Sequence, residues 1–255
     1  LAANASQISR KMKLLDLSFP SPAENLACDE ALLDWRDENG GEEILRFWES
    51  PATFIVVGYA NKVATEVNVE SCRARQTPIF RRCSGGGTVL QGAGCLNYAL
   101  ILEIKENSPL AGISGANKFI MERNRAAVEA EARSQKSEAR ISISGHTDLT
   151  LNGKKISGNS QRRKKNFLLF HGTFLLNFDL ALVGNFLRMP SQQPDYRQSR
   201  SHGEFLTNLN LSADKVKAAL QKIWKANSPL ENPPLENVSK LSRDKYSTHE
   251  WNFKF

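Results

Sequence analysis

The stretch Arg81-Arg82-Cys83-Ser84-Gly85-Gly86-Gly87-Thr88-Val89 carries most of what the sequence says about the fold. A short strand is expected over 79–82, running into Ser84 and three consecutive glycines. Each glycine costs roughly 0.5–1 kcal/mol of backbone entropy relative to alanine, so something must offset three in a row. Glycines let a backbone approach a ligand closely and turn N–H groups toward an anion. The two arginines beside them supply charge suited to phosphate or carboxylate. Read alone, the stretch fits a tight turn with surface arginines equally well. It is not a P-loop, because no Gly-Lys-Ser/Thr follows, and the G-x-G-x-x-G spacing of dinucleotide sites is absent.

Working outward, residues 13–17 predict a first strand. Ser21-Pro22-Ala23-Glu24 predicts a helix start, with Ser21 as cap, Pro22 at the first helical position and Glu24 completing a capping box. Ala27, Ala31 and Trp35 recur at helical spacing, as do Cys28 and Leu32, until Gly40-Gly41 stops the helix. Residues 44–48 and 53–57 are short β-rich runs separated by Pro51 and are expected to pair. Alternation puts Leu96, Tyr98, Leu100, Leu102 and Ile104 on one face of a strand. Residues 117–132 predict an amphipathic helix. Residues 148–151, Asn152-Gly153 and 155–156 predict a hairpin, since Asn-Gly favours the positive φ angles of a two-residue turn. A strand is expected over 167–178, leaving 162–166 as a polar loop. A helix follows over 179–188, then irregular chain over 191–200. Ser212 caps a helix through Lys225, and 227–236 is Pro-rich and loop-like. No internal repeat occurs. The expected class is α/β of the α+β type: a mixed, largely antiparallel sheet flanked by helices.

The chain has 255 residues, 40% hydrophobic and 24% charged, which suits a soluble globular protein with a real core. The net charge of +7 favours an acidic partner. No apolar stretch is long enough to span a bilayer, so no membrane association is expected. Aromatic-basic stacking motifs, zinc-knuckle spacing and a recognition helix are all missing, so nucleic acid is not expected either. The four cysteines form no CxxC pair and follow no secretory segment, which predicts a reduced, cytoplasmic protein. Residues 1–12 are polar and are read as a tail ahead of a domain spanning 13–255.

Two further segments carry chemistry. In Gly153-Lys154-Lys155-Ile156-Ser157-Gly158-Asn159-Ser160-Gln161-Arg162, Lys155 and Ser157 share one strand face and Ile156 takes the other. A lysine on a rigid strand can hold a carboxylate or phosphate at a fixed place, although two surface lysines after a turn would look the same. In His171-Gly172-Thr173-Phe174-Leu175-Leu176-Asn177, a histidine sits inside an apolar strand, where it serves either packing or chemistry.

The series R-R-x-S-G-G-G-x-V, G-x-K-[IV]-[SA]-G-[SN]-[SA] and H-G-T-x-L-L-N, in this order and spacing, resembles the lipoate–protein ligase family. Glu24-Asn25-Leu26-Ala27-Cys28-Asp29-Glu30-Ala31-Leu32, Phe47-Trp48, Val56-Val57-Gly58, Thr207-Asn208-Leu209 and Glu250-Trp251-Asn252-Phe253 extend the likeness over residues 13–255. The resemblance implies a catalytic domain like those of biotin ligases and class II synthetases. It implies that lipoate and ATP, with Mg²⁺ assisting, form lipoyl-AMP, which a carrier-domain lysine then attacks. By position, Lys155 matches the family's lysine, which contacts the acyl carboxylate and the α-phosphate. The substrate and nucleotide site is expected from Arg82, Ser84, Gly85, Gly86, Gly87, Thr88, Val89, Leu90, Asn97, Asp148, Gly158, Ser160, His171, Gly172 and Thr173; no metal ligand is assigned. The Trp48 and Val56-Val57 region is expected to line a narrow apolar tunnel.

Two departures from the family stand out. Gln91-Gly92 replaces the usual His-Asp, and Gly94-Cys95-Leu96-Asn97 replaces G-N-x-N, changes that bear on nucleotide or metal handling. The resemblance also ends with the catalytic domain, so no C-terminal accessory domain is expected and adenylation could require a separate accessory subunit. Related octanoyl and lipoyl transferases work through a cysteine thioester. Their cysteine positions correspond here to Ser144-Gly145-His146-Thr147-Asp148 and Met189-Pro190-Ser191, which hold no cysteine. A ligase is therefore the favoured reading. A cysteine-free amidotransferase using preformed acyl-AMP or an acyl carrier, and an inactive ligand-binding relative, stay open. The expected partner is an acidic lipoyl carrier domain, of H-protein or dehydrogenase E2 type. The block Arg162, Arg163, Lys164 and Lys165 is expected to form its basic docking rim. The sequence leaves open which acid is preferred.

Overall fold

The computed structural model describes residues 12–135, 138–190 and 192–255. Its strands are β1 (Met12–Asp16), β2 (Glu43–Trp48), β3 (Phe54–Val57), β4 (Ile79–Arg81), β5 (Val89–Gln91), β6 (Cys95–Glu103), β7 (Ile141–Ser144), β8 (Asp148–Leu151), β9 (Lys154–Arg163), β10 (Phe167–Leu175) and β11 (Ser228–Pro229). Its helices are α1 (Pro22–Asn39), α2 (Val63–Glu66), α3 (Val69–Ala74), α4 (Ile113–Gln135), α5 (Val183–Phe186), α6 (His202–Phe205), α7 (Ala213–Trp224), α8 (Leu235–Leu241) and α9 (His249–Asn252). The tail expected over 1–12 falls outside the described residues except for Met12, which already belongs to β1.

An eight-stranded sheet runs in the order β11-β1-β2-β6-β10-β9-β8-β7. It is parallel at β11/β1/β2 and antiparallel from β2 onward. A small second sheet, β4-β3-β5, carries the glycine loop between β4 and β5. The mixed, largely antiparallel sheet flanked by helices is thus as expected. The pairing of residues 44–48 with 53–57 is not. β2 lies between β1 and β6, while β3 lies between β4 and β5. Both strands are buried along their whole length, and each is hydrogen-bonded on two edges, which a simple hairpin could not provide.

β6 shows how the layers form. Leu96, Tyr98, Leu100 and Leu102 join a core with α4 and α7, and Ile104 packs at its edge, as the alternation predicts. The opposite face, with Ala99 and Ile101, packs under α1. α1 is buried without a break from Asn25 to Leu33. Ser21 sits at its N-cap but makes no side-chain capping bond, so the predicted capping box is absent. Asn25 does the work instead: its side chain accepts from the Phe19 amide at 3.0 Å and donates to the Phe19 and Ser21 carbonyls.

The β8–β9 hairpin turns at Asn152 and Gly153, both at positive φ. β9 then continues to Arg163, so Arg162 and Arg163 belong to the strand and only 164–166 loops. The helix expected over 179–188 is a short 3₁₀ turn at Leu180–Leu182 followed by α5. Within 227–236, expected to be loop, β11 extends the sheet beside β1. Ser212 caps α7 as expected, accepting from the Lys215 amide.

A buried polar chain crosses the layers. Trp224 on α7 donates to Asn124 on α4, Asn124 donates to the Tyr98 hydroxyl, and Tyr98 donates to Asn159 on β9. These bonds measure 2.8, 2.8 and 2.6 Å. Asn124→Ala would leave the Trp224 N–H and the Tyr98 oxygen without their shared partner, at a cost of about 1–3 kcal/mol. The expected outcome is a lower urea midpoint with an unchanged m-value; an unaltered midpoint would show the chain to be dispensable.

Candidate active site

The register of the large sheet lays out the floor of a cleft. Trp48 on β2 stands opposite Asn97 on β6, Asn97 opposite Thr173 on β10, Thr173 opposite Gly158 on β9, and Gly158 opposite Asp148 on β8. Two residues along, on the same face, the row reads Arg46, Ala99, His171, Ser160. β5, Val56 and the glycine loop cover this floor, and the segment 188–206 closes one side. The enclosed volume is about 790 Å³, within the range of small-molecule and cofactor sites.

Lys155 is placed by two local devices. Leu149 pairs with Ser157 and Thr150 with Lys155, so Ile156 is the extra residue of a β-bulge. Bulges re-aim side chains, and this one sends Ile156 into the core while Lys155 and Ser157 both face the cleft. The Lys155 side chain then lies across Gly158: a Cβ there would stand 2.8 Å from both Cε and Nζ. Its Nζ meets Asp148 Oδ1 at 2.9 Å, and the Tyr196 hydroxyl donates to Asp148 Oδ2 at 2.7 Å. Lysine, aspartate and tyrosine thus fix one cation at one end of the floor.

The glycine loop is shaped by Arg82. Its guanidinium donates to the Ser84 hydroxyl and to the carbonyls of Gly85, Gly87 and Val56. Gly86 takes φ +85°, and the Gly58 backbone approaches its carbonyl so closely that a Cβ on Gly58 would lie 2.0 Å away. Burial pulls the Arg82 pKa down to about 10, and among the described residues no carboxylate pairs with it. A buried cation without an anionic partner gives the cleft an affinity for an anion.

A buried hydrogen-bond chain ties this loop to the sheet and to α1. Burial alone would raise the Asp29 carboxyl, but Arg46 and the hydrogen bond from His171 outweigh it and hold the group below its ordinary range. Asp29 is therefore a carboxylate and accepts from His171 Nδ1 at 2.9 Å. That selects the tautomer with a bare Nε2, which accepts from the Ser84 hydroxyl at 2.5 Å. Arg46 closes the chain, donating to Asp29 and to Asn25 Oδ1, Asn25 O and Leu17 O.

Of the expected site residues, Arg82, Gly86, Gly87, Thr88, Val89, Leu90, Asn97, Asp148, Lys155, Gly158, Ser160, His171, Gly172 and Thr173 all line the cleft. Ser84 and Gly85 do not. Ser84 is held behind the loop by His171, and Gly85 presents its carbonyl to Arg82 and Ser160. Trp48 and Val56 line the apolar part, while Val57 faces the opposite core. Gln91 donates to Thr173, which donates to Asn97, each at 2.6 Å. Among the described residues, Trp48 Nε1, Thr88 Oγ1 and Gln91 Oε1 are buried without a partner, so the cleft has more hydrogen-bonding capacity than a bare hydrocarbon slot.

The sequence reading missed Asp29, Tyr196 and the wall from Arg188 to Leu206. Asp29 had a signal: Asn25 and Asp29 stand four apart, on one face of a helix in which Leu26, Ala27, Cys28, Ala31 and Leu32 are apolar. Tyr196 had none, because the irregular stretch around it has no period to read. The basic block is divided rather than continuous. Arg162 is exposed beside the loop and donates to Cys83 O. Arg163 points to the other face and donates to Leu110 O and Ala111 O. Lys164 pairs with Asp34 at 2.6 Å, and Lys165 is exposed. Strand alternation separates Arg162 from Arg163, and the two lysines lie in the loop beyond the strand. The four cysteines are free thiols packed in apolar cores, and none lines the cleft.

Comparison with known proteins adds to this geometry. The profile of the lipoyl protein ligase A/B catalytic domain matches residues 21–224. The octanoyltransferase LipM of Geobacillus kaustophilus is 28% identical, over 95% of this chain and 98% of its own. That of Bacillus subtilis is 27% identical with the same coverage. Among solved structures, a bi-partite lipoate protein ligase from Thermoplasma acidophilum, studied with its E2 lipoyl domain, superposes with a TM-score of 0.77. It is 22% identical, covering 95% of this chain and 96% of its own. Lipoate-protein ligase A bound with ATP also gives 0.77, at 24% identity over 95% and 98% of the two chains.

Gly158→Ala tests the placement of Lys155. The new methyl group meets only the flexible end of the lysine, so stability should stay within about 1 kcal/mol of the parent. The displaced charge should lower acyl-transfer turnover at least tenfold. Unchanged turnover with intact folding would show that Lys155 does not act from this position.

Proposed function

The chain belongs to the lipoyl protein ligase A/B catalytic-domain family, and from that premise we propose that it activates lipoate or octanoate with ATP and passes the acyl group to a lysine of a lipoyl carrier domain. Transfer of lipoyl or octanoyl groups is the common ground of its relatives. The observation that carries the finer reading is the absence of a thiol from the cleft. Burial pushes the Cys28 thiol up to about 11 and those of Cys83 and Cys95 up to about 12. Each is therefore protonated at neutral pH and walled off, the opposite of what a thioester-forming cysteine needs. Activation as a mixed anhydride requires no enzyme nucleophile.

In this mechanism the substrate carboxylate attacks the α-phosphorus of ATP and pyrophosphate leaves. The neutral ε-amine of the carrier lysine then attacks the acyl carbon, the amide forms, AMP leaves with the bonding electrons, and the amine's proton passes to solvent. Lys155 places a fixed cation where the carboxylate and α-phosphate meet, and negative charge grows there in both steps. Arg82 and the unencumbered edge of the glycine loop add positive potential from the roof. Asp148 and Tyr196 hold the lysine still, so little reorganisation accompanies the reaction. Among the described residues no three His, Cys, Asp or Glu side chains gather around one point. Mg²⁺ would be held chiefly by the nucleotide phosphates, with at most one or two carboxylates of this chain, and would neutralise phosphate charge.

The octanoyltransferase relatives favour a second reading. The same cleft could take an acyl group already activated, as acyl-AMP or on a carrier, and undergo direct attack by the acceptor lysine. A separate accessory subunit would then supply the activation. The solved ligase studied with its E2 lipoyl domain supports a lipoyl domain as acceptor, and H-protein is the other candidate of that type.

A mass assay separates these readings. The chain is incubated with ATP, Mg²⁺ and lipoate or octanoate, and apo lipoyl domain is added and weighed. One acyl group gained supports the ligase. Gain only with synthetic acyl-AMP or an octanoyl carrier supports the transferase, and no gain in any arm removes both. Lys155→Ala should reduce carrier modification at least 10²-fold with its thermal midpoint unchanged. Because the thiols are protonated and buried, iodoacetamide at pH 8 should leave both mass and activity of the native chain unaltered. Loss of activity on modification would restore a cysteine route.

A further inference from the structure

We infer that the aromatic and cationic face formed by Tyr59, Arg162, Trp251, Lys254 and Phe255 is the docking surface for the acidic flank of the acceptor protein's lysine; this rests on the proposed acyl transfer to a carrier domain.

The face lies on the outer side of the loop whose inner side lines the cleft. The Tyr59 amide donates to Ser84 O at 2.8 Å, and the Arg162 guanidinium reaches Cys83 O at 3.4 Å. Arg162 follows Ser160 by two residues on the same strand face, and the Ser160 hydroxyl donates to Gly85 O at 2.8 Å. A protein seated here touches the exposed glycines at the lip of the cleft.

Its composition is that of an interface. The Tyr59 ring centre lies 5.8 Å from that of Trp251 and 5.9 Å from that of Phe255. Phe255 is 47% exposed. Two cations flank the platform: Lys254 Nζ is 5.0 Å from the Tyr59 ring and 3.2 Å from its hydroxyl, and the Arg162 guanidinium is 5.9 Å from the ring. The hydrogen bond from Lys254, with the charges of Lys254 and Arg162, pulls the Tyr59 hydroxyl below its ordinary range. Neither cation forms an ion pair among the described residues, unlike neighbouring Lys245, which is held by Glu30. Aromatic residues and arginine concentrate where proteins bind proteins. Two cations clamped on rings suit two or three carboxylates of a folded domain. Nucleic acid would call for a longer run of phosphate contacts.

The arrangement revises the rim expected from the basic block. Of those four residues Arg162 is the one that contacts Tyr59, and its companions on this face come from elsewhere in the chain. The interaction should act through association and weaken with salt.

The test measures binding and turnover separately. Apo lipoyl domain is titrated into the wild-type chain and the Lys254→Glu, Arg162→Glu and Phe255→Ala variants by calorimetry, at low and high salt. At low salt each glutamate variant should bind at least tenfold more weakly, Phe255→Ala should lose severalfold, and Lys254→Arg should bind as wild type. High salt should shrink the difference between wild type and the glutamate variants. Equal affinity across the series would overturn the proposal. In parallel, hydroxylamine replaces the carrier as a small acceptor. Hydroxamate formation by Lys254→Glu should match wild type, whereas an equal loss with hydroxylamine would assign the residue to the acyl site and also overturn docking. If wild type forms no hydroxamate, the proposed chemistry fails, and the calorimetric series still decides whether this face binds the domain.

Discussion

The Arg46–Asp29–His171–Ser84 chain is the constraint on which the site depends. It joins α1, two strands of the large sheet and the glycine loop, which come from distant parts of the sequence. A buried carboxylate is unfavourable unless it is paired and fully hydrogen-bonded, and Asp29 meets that condition only with Arg46 and His171 both in place. Removing Arg46 or Asp29 would strand a buried charge, so the elements must dock in a single arrangement. The loop consequently inherits its position from the packing of the sheet rather than from its own flexible glycines. Arg82 completes the result by filling the inside of the loop with donors.

Much of this architecture was legible in the sequence because it obeys short-range rules. The alternation along β6, the Asn152-Gly153 turn and the Ser212 cap each express a local preference that the structure honours. The partnership of β2 and β3 was not legible, because adjacency in sequence says nothing about which edges of a fully buried strand remain to be paired. The Ser21 capping box failed for a related reason: Asn25, one turn into the helix, bonds back to Phe19 and Ser21 and supplies the entry geometry. Nearly all expected cleft residues do line it, since the three motifs lie on strands whose register brings them together. Tyr196 sits on a 3₁₀ turn, Asp195–Arg197, and the wall around it includes the four-residue α6; both are too short to leave a periodic signal.

The basic block teaches the same lesson on the surface. Four consecutive cations look like one patch only when the chain is imagined as a line. The strand sends Arg162 and Arg163 to opposite faces and the loop turns Lys164 aside, so that Arg163 meets a pair of carbonyls and Lys164 a carboxylate. Charge runs therefore describe a partner poorly until the local periodicity is known. The face that does keep unpaired cations is assembled from Arg162 and the far end of the chain.

The floor of the cleft runs across the strands rather than along them. From Gly158 on β9 to Trp48 on β2 the row crosses three inter-strand gaps, roughly 14 Å at the usual spacing. Distances along that row come in units set by backbone hydrogen bonding, a dimension that side-chain substitution cannot stretch. The sheet is in effect a ruler with fixed graduations. Trp48 stands at the last mark of that row, where β2 closes the floor.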